Sequence, residues 1–168
     1  PELDDVAGNI DGAAERFEAW QNDPNRTVAS PVPVVELPLD TVTEGKTPNV
    51  AGAGSEAKLP RNPVSVPGPE GQGLEFNGDN GVELPGGAAF DWFQPFSVSL
   101  WLRTPDHGPR YVIFHRSMAA EDAASRGYEF LLLDGKPTFS LSHFWPGNAL
   151  RVEAEQPLPV NAWTHCTI

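Results

Sequence analysis

Beyond Pro24 the chain sustains no long helical period, and that rules out most folds. Its apolar residues recur at every second position in short runs, and glycine, proline and asparagine break those runs. Phe96, Val98, Leu100 and Leu102 alternate with Ser97, Ser99, Trp101 and Arg103, so one face is aliphatic and Trp101 lies on the other. Similar runs occupy Tyr111 to His115, Tyr128 to Leu133, Thr138 to Phe144 and Leu150 to Glu155, with an Asp134-Gly135-Lys136 turn between the second and third. Leu74, Phe76, Val82 and Leu84 flank Asn77-Gly78-Asp79-Asn80-Gly81, which predicts a hairpin. Trp163 to Ile168 reads as an eighth strand just beginning. Short strands and loops of uneven length specify an all-β sandwich. A sheet stopping there implies that the same polypeptide or a separate chain completes it.

The first third contributes little to such a core. Ile10, Ala13, Ala14, Phe17 and Trp20 fall at helical spacing, with Asn9 or Asp11 as cap and Asn22-Asp23-Pro24-Asn25 as stop. Phe17 and Trp20 are expected to dock on something larger, since so short a helix is marginal alone. Prolines at 31, 33 and 38 make the next stretch an extended linker leading into an edge strand at Val34 to Leu39. Asp40 to Glu70 is loop, with a short strand at Val64-Ser65-Val66. The expected division is therefore 1–30, helix and linker, and 31–168, a β-sandwich.

Charge excludes some partners. Residues 1–70 carry 12 acidic and 5 basic side chains, and the whole chain has a net charge of -12. Nonspecific binding to nucleic acid or an anionic membrane is disfavoured. No apolar run approaches the roughly 20 residues that span a bilayer. One cysteine, Cys166, forbids an internal disulfide. There is no Cys-x-x-Cys-His for covalent haem, no phosphate-binding loop and no nucleophile elbow. His107, His115, His143 and His165 lack metal-ligand spacing on any one element.

From about residue 34 the order of motifs resembles a concanavalin A-like, laminin-G-type jelly roll. The resemblance is carried by Gly71-Gln72-Gly73-Leu74-Glu75-Phe76-Asn77-Gly78, by Pro95-Phe96-Ser97-Val98-Ser99-Leu100-Trp101-Leu102, and by Asn161-Ala162-Trp163-Thr164-His165. Ser125-Arg126-Gly127-Tyr128-Glu129, His143-Phe144-Trp145-Pro146-Gly147-Asn148, Phe90-Asp91 and Gln94-Pro95-Phe96-Ser97 further resemble the lectin-like insert of large exported planctomycete-type proteins. Such proteins join a cytochrome c-like domain to family-specific domains. The resemblance implies an extracytoplasmic, multi-domain setting, an incomplete jelly roll in this fragment, and residues 1–30 as the tail of a preceding domain.

Candidate sites follow. Trp145 ahead of Pro146-Gly147 offers either a ring for stacking on a sugar or packing over a sandwich edge, with His143, Asn148 and Arg151 as polar helpers. Arg126 and Tyr128 are architectural or recognise sugar; Arg126 is expected to bridge Glu129 or Asp134, or to fix the Trp145 loop. Related folds include glucan-cleaving enzymes with paired carboxylates, and Glu153-Ala154-Glu155 has same-face spacing, but no third acid follows. Laminin-G-like sandwiches often hold calcium at a rim, for which Asp40, Asn77, Asp79 and Asn80 supply oxygen donors. The expected function is a non-catalytic carbohydrate-binding or interdomain scaffolding module. The rival is part of a polysaccharide-processing or redox enzyme assembly whose catalytic groups lie elsewhere.

Overall fold

The computed structural model describes residues 12–27, 32–51, 56–91, 93–117, 126–144 and 146–168. The chain divides into two units, residues 1–32 and 33–168.

The first unit contains α1, Ala13–Asn22. Asn9 and Asp11, the expected caps, lie outside the described residues. The cap position is Gly12, at φ 74°, and no described side chain caps the first turn; Glu15 there favours the positive helix end. Phe17 and Trp20, three residues apart, stack at 5.7 Å, and the Arg26 guanidinium lies 5.2 Å from the Trp20 ring. No described residue of α1 is buried.

Among the described residues the second unit holds ten strands. Two pairs are short: β1 (Lys46–Thr47) with β2 (Ala57–Lys58), and β3 (Val64–Pro67) with β4 (Gln72–Glu75). β5 (Ser99–Leu102) pairs with β10 (Thr164–Thr167). The largest sheet runs β6 (Arg110–Ser117), β7 (Gly127–Leu133), β8 (Lys136–Phe144) and β9 (Asn148–Glu153), all antiparallel. Asp134 and Gly135, both at positive φ, form the expected two-residue turn from β7 to β8.

The core lies between β5–β10 and the four-stranded sheet. Leu102, Phe130 and Leu132 are buried, and Leu100, Ile113, Phe114, Phe139, Cys166 and Ile168 pack around them. Burial alternates along β5 as the sequence requires, with Leu100 and Leu102 inward and Ser99 and Trp101 outward. Burial also pushes the Cys166 thiol pKa up, so at neutral pH it is a small protonated core group.

Two expected elements are absent. Val34 to Leu39 is not a strand. Pro38 offers no donor and Leu39 sits at φ 66°, so the segment is tied instead by Glu36 N to Asn49 Oδ1 at 2.8 Å and Val50 N to Glu36 O at 2.9 Å. The 74–84 hairpin does not form either. β4 turns back onto β3, whereas Glu83 bridges Lys58. Asn77 Oδ1 accepts from the amides of Asp79 and Asn80, and Asn80 Oδ1 accepts from that of Asn77. Side chains thus close this turn locally without pairing its flanks.

Candidate functional site

Strand register across β6–β9 sets two faces, because residues opposite each other in a ladder point the same way. One row, Phe114, Phe130, Phe139 and Val152, belongs to the core face. The neighbouring row, His115, Glu129, Ser140 and Arg151, lies on the other face and is polar on all four strands. Glu129 and Ser140 are buried, at 5% and 2% exposure.

Arg151 binds this row together. Its Nε donates to Ser140 Oγ on the adjacent strand at 3.1 Å, and its Nη2 lies 3.9 Å from Glu129 Oε1, one strand further. The guanidinium therefore spans three strands, which suits a planar fork better than an ammonium. On β6, His115 Nδ1 is 2.9 Å from Ser117 Oγ.

Beside it runs a row of small residues: Ser117, Gly127, Ser142 and Ala149. The Ser142 hydroxyl is buried and has no hydrogen-bond partner among the described residues. Arg126 and His143 stand past this row. Arg126 Nη2 is 3.1 Å from His143 Nε2, and since guanidinium only donates, that imidazole nitrogen is the acceptor. His143 sits where the β8–β9 register shifts, a bulge that re-aims its side chain. The result is a band of small groups flanked by donors and acceptors of both kinds, a trough in side-chain size alone.

The sequence-predicted residues fall partly on this end of the sheet. Arg126, His143 and Asn148 lie at the termini joined there, and Arg151 lies within the polar row. Trp145 lies outside the described residues. Tyr128 faces the core instead, packed against Phe90, Phe96 and Phe114, with its hydroxyl donating to Ala88 O at 2.7 Å. Glu129 and Ser140 were missed as site residues. The available signal was the strict Thr138-Phe139-Ser140-Leu141-Ser142 alternation beside a single acid in an apolar run.

Burial raises the Tyr128 pKa above 10.0, partly offset by the charge of Arg116. The folded chain holds that proton to higher pH than the unfolded chain does. Its contribution is intact below about pH 10 and is lost as pH rises through the folded value. Tyr128→Phe should cost about 1 kcal/mol at neutral pH, from the lost hydrogen bond. It should also show a shallower decline above about pH 10, measured by urea unfolding across that range.

The other candidates do not converge. Asp40 Oδ1 accepts from Gln72 N at 2.7 Å, at the start of β4, whereas Asn77, Asp79 and Asn80 lie beyond its end. Four strand residues at about 3.3 Å each separate the two groups. The turn asparagines already accept from backbone amides, and Asp79 Oδ1 lies 3.5 Å from Arg61. Among the described residues no three His, Cys, Asp or Glu side chains cluster as metal ligands. β9 ends at Glu153, which pairs with Lys136 at 3.5 Å, so the same-face argument for Glu155 fails. A cleft of about 270 Å³ lies elsewhere, lined by Glu44, Lys46, Lys58 and Glu83. Its charges are mixed, and Lys46 is engaged with Glu56 at 2.8 Å.

Residues 76–168, more than half the chain, match the sequence profile of the concanavalin A-like lectin/glucanases superfamily. The chain belongs to that superfamily. No curated protein and no solved structure matches it. The polar row lies on the face of β6–β9 opposite Phe130 and Leu132. Among the described residues no helix is long and apolar enough to cross a membrane.

Proposed function

We propose that this concanavalin A-like domain is a non-catalytic recognition module that binds a polysaccharide on the polar face of β6–β9. The in-register row His115, Glu129, Ser140 and Arg151 carries the reading. Sugar hydroxyls both donate and accept, so a carboxylate, a guanidinium, an imidazole and the unpartnered Ser142 hydroxyl in one trough match them. Hydrolysis needs carboxyl groups about 5–9.5 Å apart. Glu129 and Glu153 share this face, but two strands and two residues separate their backbones, about 12 Å at ordinary sheet spacing. Each also faces a cation. Those features favour binding over cleavage.

The proposed setting is a multi-domain, exported protein of the planctomycete type, with the rest of the polypeptide as neighbour. Arg151→Ala should weaken binding to soluble oligosaccharides at least about tenfold, the scale of one charge-assisted hydrogen bond. Arg151→Lys should recover only part of it. Titration calorimetry on hits from a glycan array reads both. Unchanged affinity in Arg151→Ala would count against this face.

Interdomain scaffolding is the second reading, favoured by a specific feature. Leu141, Phe144, Leu150 and Val152 lie on the core-side face of β8–β9 yet are 38–68% exposed. Replacing Leu150 and Val152 with serine should release neighbouring domains in limited proteolysis of the longer protein if this reading holds.

A further inference from the structure

The β5–β10 sheet has an outer face that neither the core nor the polar trough uses. Register pairs Ser99 with Thr167 and Trp101 with His165. At the next step Arg103 lies 5.2 Å from the Trp163 ring centre. Opposite them, Leu100, Leu102, Cys166 and Ile168 point into the core. The outer face is therefore a ladder of two indoles, an imidazole, a guanidinium and two hydroxyls.

Trp101 is its exposed indole, at 44% exposure in mid-strand. His165 meets the indole at 4.9 Å with a 47° tilt, and its Nε2 is 2.8 Å from Ser99 Oγ. That hydrogen bond fixes the imidazole beside the indole. Trp163 is anchored differently, with its ring edge against Gly73 of β4, where an added Cβ would lie 3.4 Å away. Trp163 and Arg103 thus bound one end of the face, while Trp101 is left accessible.

A pyranose has an apolar C–H face and a rim of hydroxyls. An accessible indole bordered by hydroxyls and a guanidinium complements both parts. The geometry points to a second saccharide site here: Trp101 stacks on the sugar face, and Ser99, Thr167 and Arg103 take hydroxyls. An indole held open in mid-strand suits chains whose rings lie flat in a solid, such as β-1,4-linked glucan or chitin. The site is separate from the polar face of β6–β9, and neither requires the other.

The test incubates the full chain with microcrystalline cellulose and with chitin, and measures depletion from solution. Wild type, Trp101→Ala, Trp101→Phe and Arg151→Ala are compared, with unfolding midpoints confirming that each variant is folded. Wild type should bind at least one solid. Trp101→Ala should lose at least about tenfold in affinity, and Trp101→Phe should stay within about threefold. Wild type left in solution with both solids, or Trp101→Ala within twofold of wild type, would overturn the site. Soluble oligosaccharides run in parallel separate the two faces. Arg151-dependent binding there with no solid bound would sink the platform alone, and the reverse pattern would sink the trough alone.

Discussion

Phe130→Ala is expected to destabilise the second unit by about 3–5 kcal/mol, among the largest effects a single side chain can have. Phe130 is 1% exposed, shares its cluster with Leu102 and Leu132, and meets the Phe114 ring at 5.6 Å. Truncation removes apolar area and leaves a cavity between two sheets whose backbones are fixed by hydrogen bonds. Small domains hold only about 5–15 kcal/mol in total, so the variant should unfold at much lower urea. Val152→Ala is the control. It lies in the same register row but is 59% exposed, so its loss should stay near 0.5 kcal/mol or below. Equal midpoints for the two variants would mean that the row is not organised around Phe130.

How much of this was legible in the sequence depends on which interactions are local. The alternation in β5 and the Asp134-Gly135 turn are local, and both appear as read. Strand pairing is not local. Asn77 to Gly81 has good turn chemistry, but turn chemistry does not say which strand the flanks will meet, and β4 pairs backwards with β3. Pro38 signalled trouble for Val34 to Leu39; the positive φ at Leu39 completed it.

The site follows the same logic. Arg126, His143 and Arg151 are noticeable as polar residues near strand ends, so they could be singled out. Glu129 becomes meaningful only when register places it two strands from Arg151 with Ser140 between. Of the two roles open to Tyr128, the packing is the architectural one, and the period of two shared by Tyr128, Phe130 and Leu132 already pointed inward. Trp101 was legible as lying opposite the aliphatic row. Its partnership with His165, 64 positions later, needed the β5–β10 ladder.

Gly127→Ala should be comparably severe, and for a reason no side-chain contact reveals. Gly127 opens β7 at φ 136°, where side chains are strained. A Cβ there would lie 1.9 Å from the Arg116 carbonyl oxygen and 2.8 Å from Ser117 Cα, both backbone atoms of the paired strand β6. A flexible neighbour could swing aside, but a ladder strand must shift as a whole. Overpacking of about 1–3 kcal/mol and backbone strain of about 1–3 kcal/mol together suggest a loss of about 2–6 kcal/mol. Gly78→Ala separates the two causes. Gly78 has φ 91° but open space around its Cβ position, so only conformational strain remains, about 1 kcal/mol. The consequence for binding is also specific. Moving β6 away from the start of β7 separates His115 and Ser117 from Glu129, which widens the trough at its polar row. A folded Gly127→Ala chain should therefore lose soluble-oligosaccharide binding but keep Trp101-dependent retention on a solid, whose ladder lies on the other sheet. Loss of both, in a chain whose unfolding midpoint still matches Gly78→Ala, would mean that the two faces are coupled through the core.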